Sequence, residues 1–516
     1  MPMSIHFFRT ACLGVALLTA GLVVSVPAAQ SQTAEEIVRL SQRSPGIGAV
    51  NMGLGGVGIS GIGDHSAFVT NPAGLGWAGG MVAGDLQGTF AETDARFNPS
   101  GDITEGTASS ANIGNVAYLF DAPTRRGTLV IGGAINQTNT FRRTTEFVGM
   151  NDQSTITTSF LPFSDEFSVT DAAIDFFADL PDLGFGAGAI EFFDDLFEDG
   201  EYPFLSAVVP GTNIEQSGRV VEEGSAREFN LGGAWEAAPN VMVGLSANIA
   251  WRNYRFENRF QEFDVFGENT VDDFNVLLDD GTLLEGFNDL TYDRIVETST
   301  IGISGRAGVS AKLNPLVRLG ATVETPTFIS VEDDFRQFLE VGFERGGALS
   351  DEISSSFEYD YRTPWRFGVG AGLDIGNIRA HADVELVDWS QMRITNSPDR
   401  GFEDSVNRRF RDDFNAVLNT RAGVELRLAQ LALRGGAAFM PDPSDLTDHD
   451  RTFLSAGIGY KVSNQFAIDL GWMQESFSDR LLPYPEDAQG PRQDDVLSVD
   501  EDLIRNRISL GVRFFL

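Results

Sequence analysis

Cysteine is almost absent from this 516-residue chain, and its single copy, Cys12, lies in an apolar stretch near the N-terminus. Arg9 precedes that stretch and small residues end it, which is the layout of a secretory signal peptide. We therefore predict that residues 1–28 are removed, with cleavage after Ala28 or Ala29. The mature protein then has no cysteine, which excludes disulfides, thiolate metal sites and cysteine nucleophiles.

Positive charge and histidine are also scarce. The 37 Lys and Arg residues face 74 Asp and Glu, for a formal net charge of −37, which argues against nucleic acid as a partner. After removal of the signal peptide the remaining histidines are His65, His381 and His449, which are far apart and form no metal-ligand motif. Because a hydrolytic site needs a nucleophile and a base placed together, we expect no enzymatic function, no metal and no cofactor.

Long apolar runs are missing as well. After residue 28, no stretch has the roughly 20 apolar residues that a membrane helix requires, so any membrane span must be a strand. From residue 81 to the end, apolar and polar residues alternate in segments of roughly 9 to 13 residues, the length of a tilted membrane strand. The clearest segment closes the chain: Ile508, Leu510 and Val512 share one face, and Arg507 and Ser509 share the other.

Tight turns and long connections follow one another along the same region, as in outer-membrane barrels. Long connections are expected near 91–111, 257–296 and 326–353, and the largest covers 140–226. The pattern predicts an all-β fold, in which residues 81–516 form a transmembrane antiparallel β-barrel of about 14 strands with long extracellular loops. A barrel of that size encloses a lumen too wide for its own side chains to fill, so we expect residues 29–80 to form an N-terminal hatch that plugs it.

The alternation also assigns the charged wall residues to the inner face. A charge that faces lipid near the midplane costs about 2–4 kcal/mol, so charged residues should line the lumen. These cations can bind the carboxylate of a ligand, or they can form ion pairs that hold the wall and the plug together. The candidate lumen cations are Arg306, Arg318, Arg366, Arg379 and Arg421.

Glycine is abundant between residues 44 and 58, but no phosphate-loop Lys-Ser/Thr accompanies it, so this stretch indicates tightly packed, irregular backbone. The element Asn71-Pro72-Ala73 follows. It resembles the hatch of the FadL/TodX family of outer-membrane transporters for long-chain fatty acids and aromatic hydrocarbons. Further stretches that resemble the family, in order along the chain, are 363–370, 383–390, 419–425 and 456–461.

The resemblance implies a barrel in the bacterial cell outer membrane, placed there by the barrel assembly machinery and surrounded by outer-membrane lipid and lipopolysaccharide. It implies passive uptake of hydrophobic compounds, such as long-chain fatty acids or hydrocarbons. Such a ligand would be captured by the loops, pass to a site in the barrel and leave sideways after the hatch shifts. The alternative is a FadL-like barrel that acts as a scaffold or carrier in protein secretion or surface attachment.

Apolar residues recur at helix-like spacings in two parts of the 140–226 connection, around 174–180 and 190–197, which predicts two short amphipathic helices. The helices can present an apolar groove to incoming ligand. Alternatively, they bury their apolar faces against each other and only order the loop. In the first interpretation the capture residues are Phe176, Phe177, Phe192, Phe193 and Phe197.

Overall fold

The computed structural model describes residues 33–164, 166–170, 173–193, 196–197, 202–271, 273–278, 280–484 and 497–516. The predicted signal peptide and its cleavage site lie outside these ranges. Across the described ranges, no helix is both long enough and apolar enough to cross a membrane.

A closed antiparallel barrel of 14 strands dominates the fold, as predicted. Each strand pairs with the next barrel strand along the chain, and the last strand pairs with the first, from Met81↔Phe515 to Phe97↔Val499, which closes the barrel. In chain order the strands are β1 (Met81–Phe97), β2 (Asp102–Asp121), β3 (Leu129–Thr140), β4 (Ile214–Ala238), β5 (Val241–Phe263), β6 (Leu283–Lys312), β7 (Val317–Glu324), β8 (Arg366–Ile375), β9 (Ile378–Asp388), β10 (Ala416–Leu428), β11 (Leu431–Met440), β12 (Arg451–Lys461), β13 (Phe466–Leu481) and β14 (Val499–Phe515).

The outer face of the barrel is apolar and its inner face is charged, the reverse of a soluble barrel. Leu86, Ile303 and Val369 are each about 60% exposed, whereas Arg306 and Asp383 on the inward parity are nearly buried. Because only lipid makes an apolar exterior favourable, this inversion is what a membrane barrel requires.

Several strands continue far beyond the apolar belt, and β6 reaches 30 residues. The predicted long loops at 91–111, 257–296 and 326–353 are therefore wrong, because most of these residues are paired strand. In β1 the outward side chains beyond Phe90 are Glu92, Asp94 and Arg96, yet pairing with β2 continues through them. A strand that extends into water needs no apolar outer face, so the length of a membrane span underestimates the length of the whole strand.

One hairpin, which we call the outer hairpin, extends β7 and β8 outward in the same register. Its strands are Phe328–Arg345 and Ala348–Arg362, and they are separated from β7 and β8 by short breaks that contain Pro326 and Pro364. Proline has no N–H to donate to a sheet, which explains why both strands are interrupted there. The short strand Arg393–Thr395 pairs with the free edge of this hairpin at Asp360–Arg362.

The chain between β3 and β4 contains the inner strand (Arg143–Asn151) and a set of short elements. The prediction of two amphipathic helices is wrong at Ile174–Phe176 and Ile190–Phe192, which are strands, whereas Asp179–Gly186 and residues 196–197 are helical. A short apolar run fits the period of a helix as well as that of a strand. Here both runs form strands because they pair with Phe167–Val169 and Phe204–Ser206.

The remaining elements are short or lie outside the wall. Helices occur at Ala34–Ser41, Gly48–Gly53, Ala67–Thr70, Leu75–Ala78 and Arg400–Asp412, 3-10 turns at Pro72–Gly74, Ile156–Phe160 and Trp389–Gln391, and a further short strand at Asn275–Leu277. The largest apolar cluster, which includes Phe160, Phe204 and Phe260, lies among the outer elements rather than in the lumen.

Candidate functional site

The N-terminal segment, defined here as residues 33–80, lies inside the barrel and is hydrogen-bonded to separate parts of the wall. Asp85 of β1 accepts a hydrogen bond from the Ala49 backbone N–H at 2.8 Å. Asp383 of β9 accepts from the N–H groups of Gly58 and Ile59 at 2.6 and 2.9 Å. Because inward carboxylates satisfy backbone donors that no secondary structure satisfies, the irregular segment tolerates burial.

Glycines of the wall make room for this segment. A side chain at Gly320 would collide with the Ile59 carbonyl, and one at Gly423 or Gly436 would collide with the backbone at Leu54. Glycines that face the segment in the same way occur around much of the barrel, namely Gly244, Gly308, Gly320, Gly370, Gly423, Gly436, Gly457, Gly471 and Gly511. The wall and the segment therefore pack backbone against backbone.

The Asn71-Pro72-Ala73 element anchors the segment to β6. The Asn71 side-chain amide donates to the carbonyl oxygens of Ile59 at 2.6 Å and Val309 at 3.1 Å, and its oxygen accepts from the Ala73 N–H at 3.0 Å. Pro72 begins the 3-10 turn, where its missing N–H costs nothing. These contacts give the element a structural role in holding the segment.

Three of the five candidate cations contact the N-terminal segment directly. Arg306 donates to the Phe68 carbonyl, and Arg318 donates to the Gly61 carbonyl. Arg366 donates to the Ser41 carbonyl at 3.3 Å. The other two pair within the wall, Arg421 with Glu385 at 3.4 Å and Arg379 with Asp374 at 3.1 Å. All five therefore have protein partners, and the arrangement favours the ion-pair network over a free carboxylate site.

Sequence reasoning missed the cations that the segment itself contributes. Arg39 lies 2.6 Å from Glu222 and donates to the Tyr254 hydroxyl at 2.9 Å. Arg43 lies 2.6 Å from Glu324 and 3.1 Å from Glu228. The sequence did contain a signal for these cations. Several glutamates of the wall face the lumen without a cation on a neighbouring strand, and a buried carboxylate needs a partner, which here comes from outside the wall.

The wall is interrupted between β2 and β3. Pairing of these strands covers only Asn115↔Asn136 to Asp121↔Val130, and within the described residues no strand pairs with the outer part of β2 on that side. Just beyond the last pair of β3 with β2, the register of β3 with β4 slips between Gln137 and Asn139, and we call residues 137–140 the bend. The polar atoms at this level that lack a hydrogen-bond partner in the described structure belong to Thr89, Ser110, Asn112 and Gln137.

Beyond the interruption, the chain continues on the lumen side as the inner strand. Arg143 lies 2.6 Å from Asp479 of β13 and also pairs with Glu501 of β14. The Phe147 ring stacks on Phe97 of β1 at 5.4 Å. The inner strand therefore passes on the lumen side of β1 and β2, where it pairs with the outer part of β4.

Two cavities lie against the N-terminal segment. One, of about 70 Å³, is lined by Val38, Phe141 and Phe414 and by paired charges. The other, of about 60 Å³, lies beside Ser44 and Trp389. A pocket that buries a drug-sized ligand measures about 300–1,000 Å³, so either cavity must enlarge to hold one. The segment forms part of both linings and is the element whose shift would enlarge them.

The candidate capture residues of the outer elements take two different positions. Phe192 packs edge-on against Phe204 at 5.4 Å, and Phe176 lies 5.7 Å from the same ring, so both belong to an interior cluster. Phe193 is half-buried, whereas Phe177 and Phe197 are 49% and 47% exposed. Only the last two can meet a ligand without rearrangement.

The three histidines have separate surroundings. His65 lies 3.7 Å from Asp85, His381 Nδ1 lies 2.9 Å from the Ser60 hydroxyl, and His449 lies 2.5 Å from Asp479. Within the described ranges, no group of three or more His, Cys, Asp or Glu is arranged to hold a metal ion.

The fold and the site together define a class: a 14-strand membrane barrel whose lumen contains an N-terminal segment and whose wall is interrupted beside it. The Pseudomonas putida toluene transporter TodX has this fold, with a TM-score of 0.52 at 12% identity over 92% of this chain and 99% of that one. A Pseudomonas aeruginosa FadL homologue gives 0.51 at 12% identity over 92% and 99%. By sequence, no family model and no curated protein matches. The structural matches confirm the predicted FadL/TodX-type fold.

Proposed function

We propose that this protein is an outer-membrane transport protein for the passive uptake of hydrophobic compounds, such as long-chain fatty acids or hydrocarbons. The observation that carries the proposal is the interruption between β2 and β3, because the chain just beyond it, at residues 139–141, lines a cavity beside the N-terminal segment. Leu86 and Ile113, paired on the neighbouring strands, project outward below the gap. An apolar ligand leaving there enters lipid without crossing water.

In this proposal the N-terminal segment acts as the hatch. The cavities are too small for ligand while the segment keeps its present position, so uptake requires the segment to shift. Ser44 is hydrogen-bonded to the bend and to β12: its N–H donates to the Thr138 carbonyl at 3.0 Å, and its hydroxyl donates to Asn139 at 2.9 Å and accepts from Arg451 at 3.1 Å. Movement of the bend and movement of the hatch are therefore coupled through shared hydrogen bonds.

The test measures uptake of a radiolabelled long-chain fatty acid and of toluene by cells that contain or lack the protein. Two single variants on β2 locate the route. Ser110→Trp places an indole in the gap, and Ser109→Trp places the same group one residue away on the outer face. We expect Ser110→Trp to abolish most uptake and Ser109→Trp to leave it unchanged.

Equal uptake with and without the protein would contradict transport, and co-purification with secretion components would then favour a scaffold. If uptake depends on the protein but both tryptophan variants retain it, transport stands and the exit through the gap is wrong. Retention of the folded form of each variant on unheated SDS gels controls for misassembly.

A further inference from the structure

Two arginines stand opposite each other on the outer face of the barrel, and neither has an anionic partner among the described residues. Arg362 of the outer hairpin and Arg393 of the short strand are direct cross-strand neighbours, and both are exposed. Like charges directly opposite each other destabilise a sheet. Neither side chain forms a hydrogen bond or ion pair with any residue that the structure describes, in a chain that has 74 acidic residues against 37 basic ones.

The pair lies where the apolar belt ends. On the same cross-strand row, Ile303 pairs with Phe328, and Phe328 pairs with Arg362. Ile303 and Phe328 are 61% and 59% exposed, so the row runs from apolar side chains to two cations. The next row outward begins with Ile301 and continues with the polar residues Ser330, Asp360 and Thr395.

An open groove of about 670 Å³ runs along these rows and is lined by Ile301, Ile303 and Phe328 on one side and by Arg362 and Arg393 on the other. It also contains one carboxylate, Asp360. That carboxylate accepts hydrogen bonds from the Ser330 hydroxyl at 2.7 Å and the Asn396 side-chain amide at 2.5 Å, which orient it toward neutral donors. The two guanidinium groups remain the strongest unfilled donors in the groove.

We propose that Arg362 and Arg393 bind the phosphate of a lipid headgroup at the outer boundary of the membrane. Guanidinium groups bind phosphate oxygens with paired hydrogen bonds, and an anion between the two side chains removes their mutual repulsion. A lipid phosphate lies at the edge of the hydrocarbon layer, which is the level of this row, and its acyl chain then covers Ile301, Ile303 and Phe328. Charge complementarity and the adjoining apolar face together select a phosphorylated lipid over a free anion.

The experiment titrates the purified full-length protein in detergent with dioleoyl phosphatidic acid, dioleoylglycerol and inorganic phosphate, and reads bound lipid by native mass spectrometry. The test variant is Arg362→Gln/Arg393→Gln. The matched control is Arg219→Gln/Arg336→Gln, which removes two exposed arginines that already pair with Glu146 and Glu352. We expect phosphatidic acid to bind the wild type and the control alike, and the test variant to bind about tenfold more weakly or worse.

Three outcomes would overturn the proposal. If the test and control variants bind phosphatidic acid with equal affinity, Arg362 and Arg393 do not form the binding site. Equal binding of dioleoylglycerol shows that the groove selects acyl chains and not phosphate. Competition by inorganic phosphate at the same concentration as the lipid shows a free-anion site. Uptake of hydrophobic compounds is not needed for any of these readouts, so the result is independent of the transport proposal.

Discussion

Arg43 and Glu324 form a two-pronged ion pair between the N-terminal segment and the wall: Nη1 donates to Oε2 at 2.7 Å, and Nη2 donates to Oε1 at 2.6 Å. Glu324 also pairs with Arg306 of the wall at 2.9 Å. The carboxylate therefore lies between one fixed cation and one that belongs to the segment. Any outward shift of the segment must break half of this arrangement and leave the other half intact.

Arg43→Ala is expected to loosen the segment without dismantling the wall. Removal of one member of a buried ion pair costs about 3–5 kcal/mol, and the lower end applies because Arg306 still neutralises Glu324. Unfolding in urea, followed by tryptophan fluorescence in detergent, measures the loss. The control is Arg259→Ala, whose exposed pair with Asp293 should contribute less than about 1 kcal/mol. Equal losses in the two variants would show that the pair does not hold the segment.

Packing of backbone against backbone can be tested at two adjacent glycines of β11. A methyl group at Gly436 would collide with the segment at Leu54 and Gly55, whereas one at Gly435 meets nothing closer than the Ser455 carbonyl at 3.9 Å. Gly436→Ala should destabilise the protein by about 1–3 kcal/mol through overpacking, and Gly435→Ala should be close to neutral. Thermal unfolding of both variants measures the difference. If they behave alike, the segment does not press on this strand.

A disulfide between the segment and the bend should stop uptake reversibly. The Ser44 hydroxyl donates to the Asn139 side-chain oxygen at 2.9 Å, so Ser44→Cys/Asn139→Cys places two thiols on facing side chains in a mature chain that we predict to have no other cysteine. We expect oxidised cells to lose uptake of a labelled fatty acid and reduced cells to regain it.

The matched control for that lock is Ser478→Cys/Asp502→Cys, a cross-strand pair on the outer parts of β13 and β14. Its oxidation should leave uptake unchanged. If the Ser44 lock forms quantitatively and uptake continues, the segment does not need to leave the bend.

Phe204 is expected to order the outer elements, because four rings surround it, those of Phe167, Phe176, Phe192 and Tyr202. Phe204→Ala should cost about 3–5 kcal/mol locally and expose this region to limited proteolysis. Phe177→Ala/Phe197→Ala removes only exposed rings and should leave proteolysis unchanged. If those two rings capture ligand, this double variant should instead raise the half-saturating ligand concentration for uptake; unchanged uptake would assign them no capture role.

The barrel strands could be predicted from the sequence wherever contact with lipid requires apolar residues to alternate with polar ones. The final strand shows this: Ile508, Leu510 and Val512 face outward and are exposed, while Arg507 and Ser509 face inward and are buried. Alternation, tight turns and the cost of a charge in lipid all point to the same register there. The pattern failed beyond the apolar belt, where water surrounds both faces and polar strands such as the outer part of β1 carry no membrane signal.

The interruption beside β3 was not predictable for a different reason. Residues 137–140 are all polar and show no alternation, so their pattern does not say whether they continue the strand, and what bends them is contact with distant residues: Ser44, and Asp479 and Glu501 through Arg143. The candidate lumen cations were placed on the correct face, but their partners came partly from the N-terminal segment. Long-range pairing of this kind leaves no local trace in a sequence.

His449 should make the order of the outer loop that contains it depend on pH. Burial by itself lowers the pKa of His449, but the hydrogen bond and charge of Asp479 outweigh burial and raise the pKa above its usual 6.5. A raised folded-state pKa means that the protonated form is stabilised. The stabilisation is fully present below about pH 6.5 and is lost as pH rises through the higher value of the folded protein.

Limited proteolysis of residues 441–450 between pH 5.5 and 9 measures this effect, and we expect cleavage to accelerate with rising pH in the wild type. In His449→Phe the imidazole is absent, so cleavage should be fast and independent of pH once the protease's own pH profile is subtracted. His381→Phe is the matched control, because His381 bonds to Ser60 in the lumen and not to the loop. A pH dependence that persists in His449→Phe would show that His449 does not cause it.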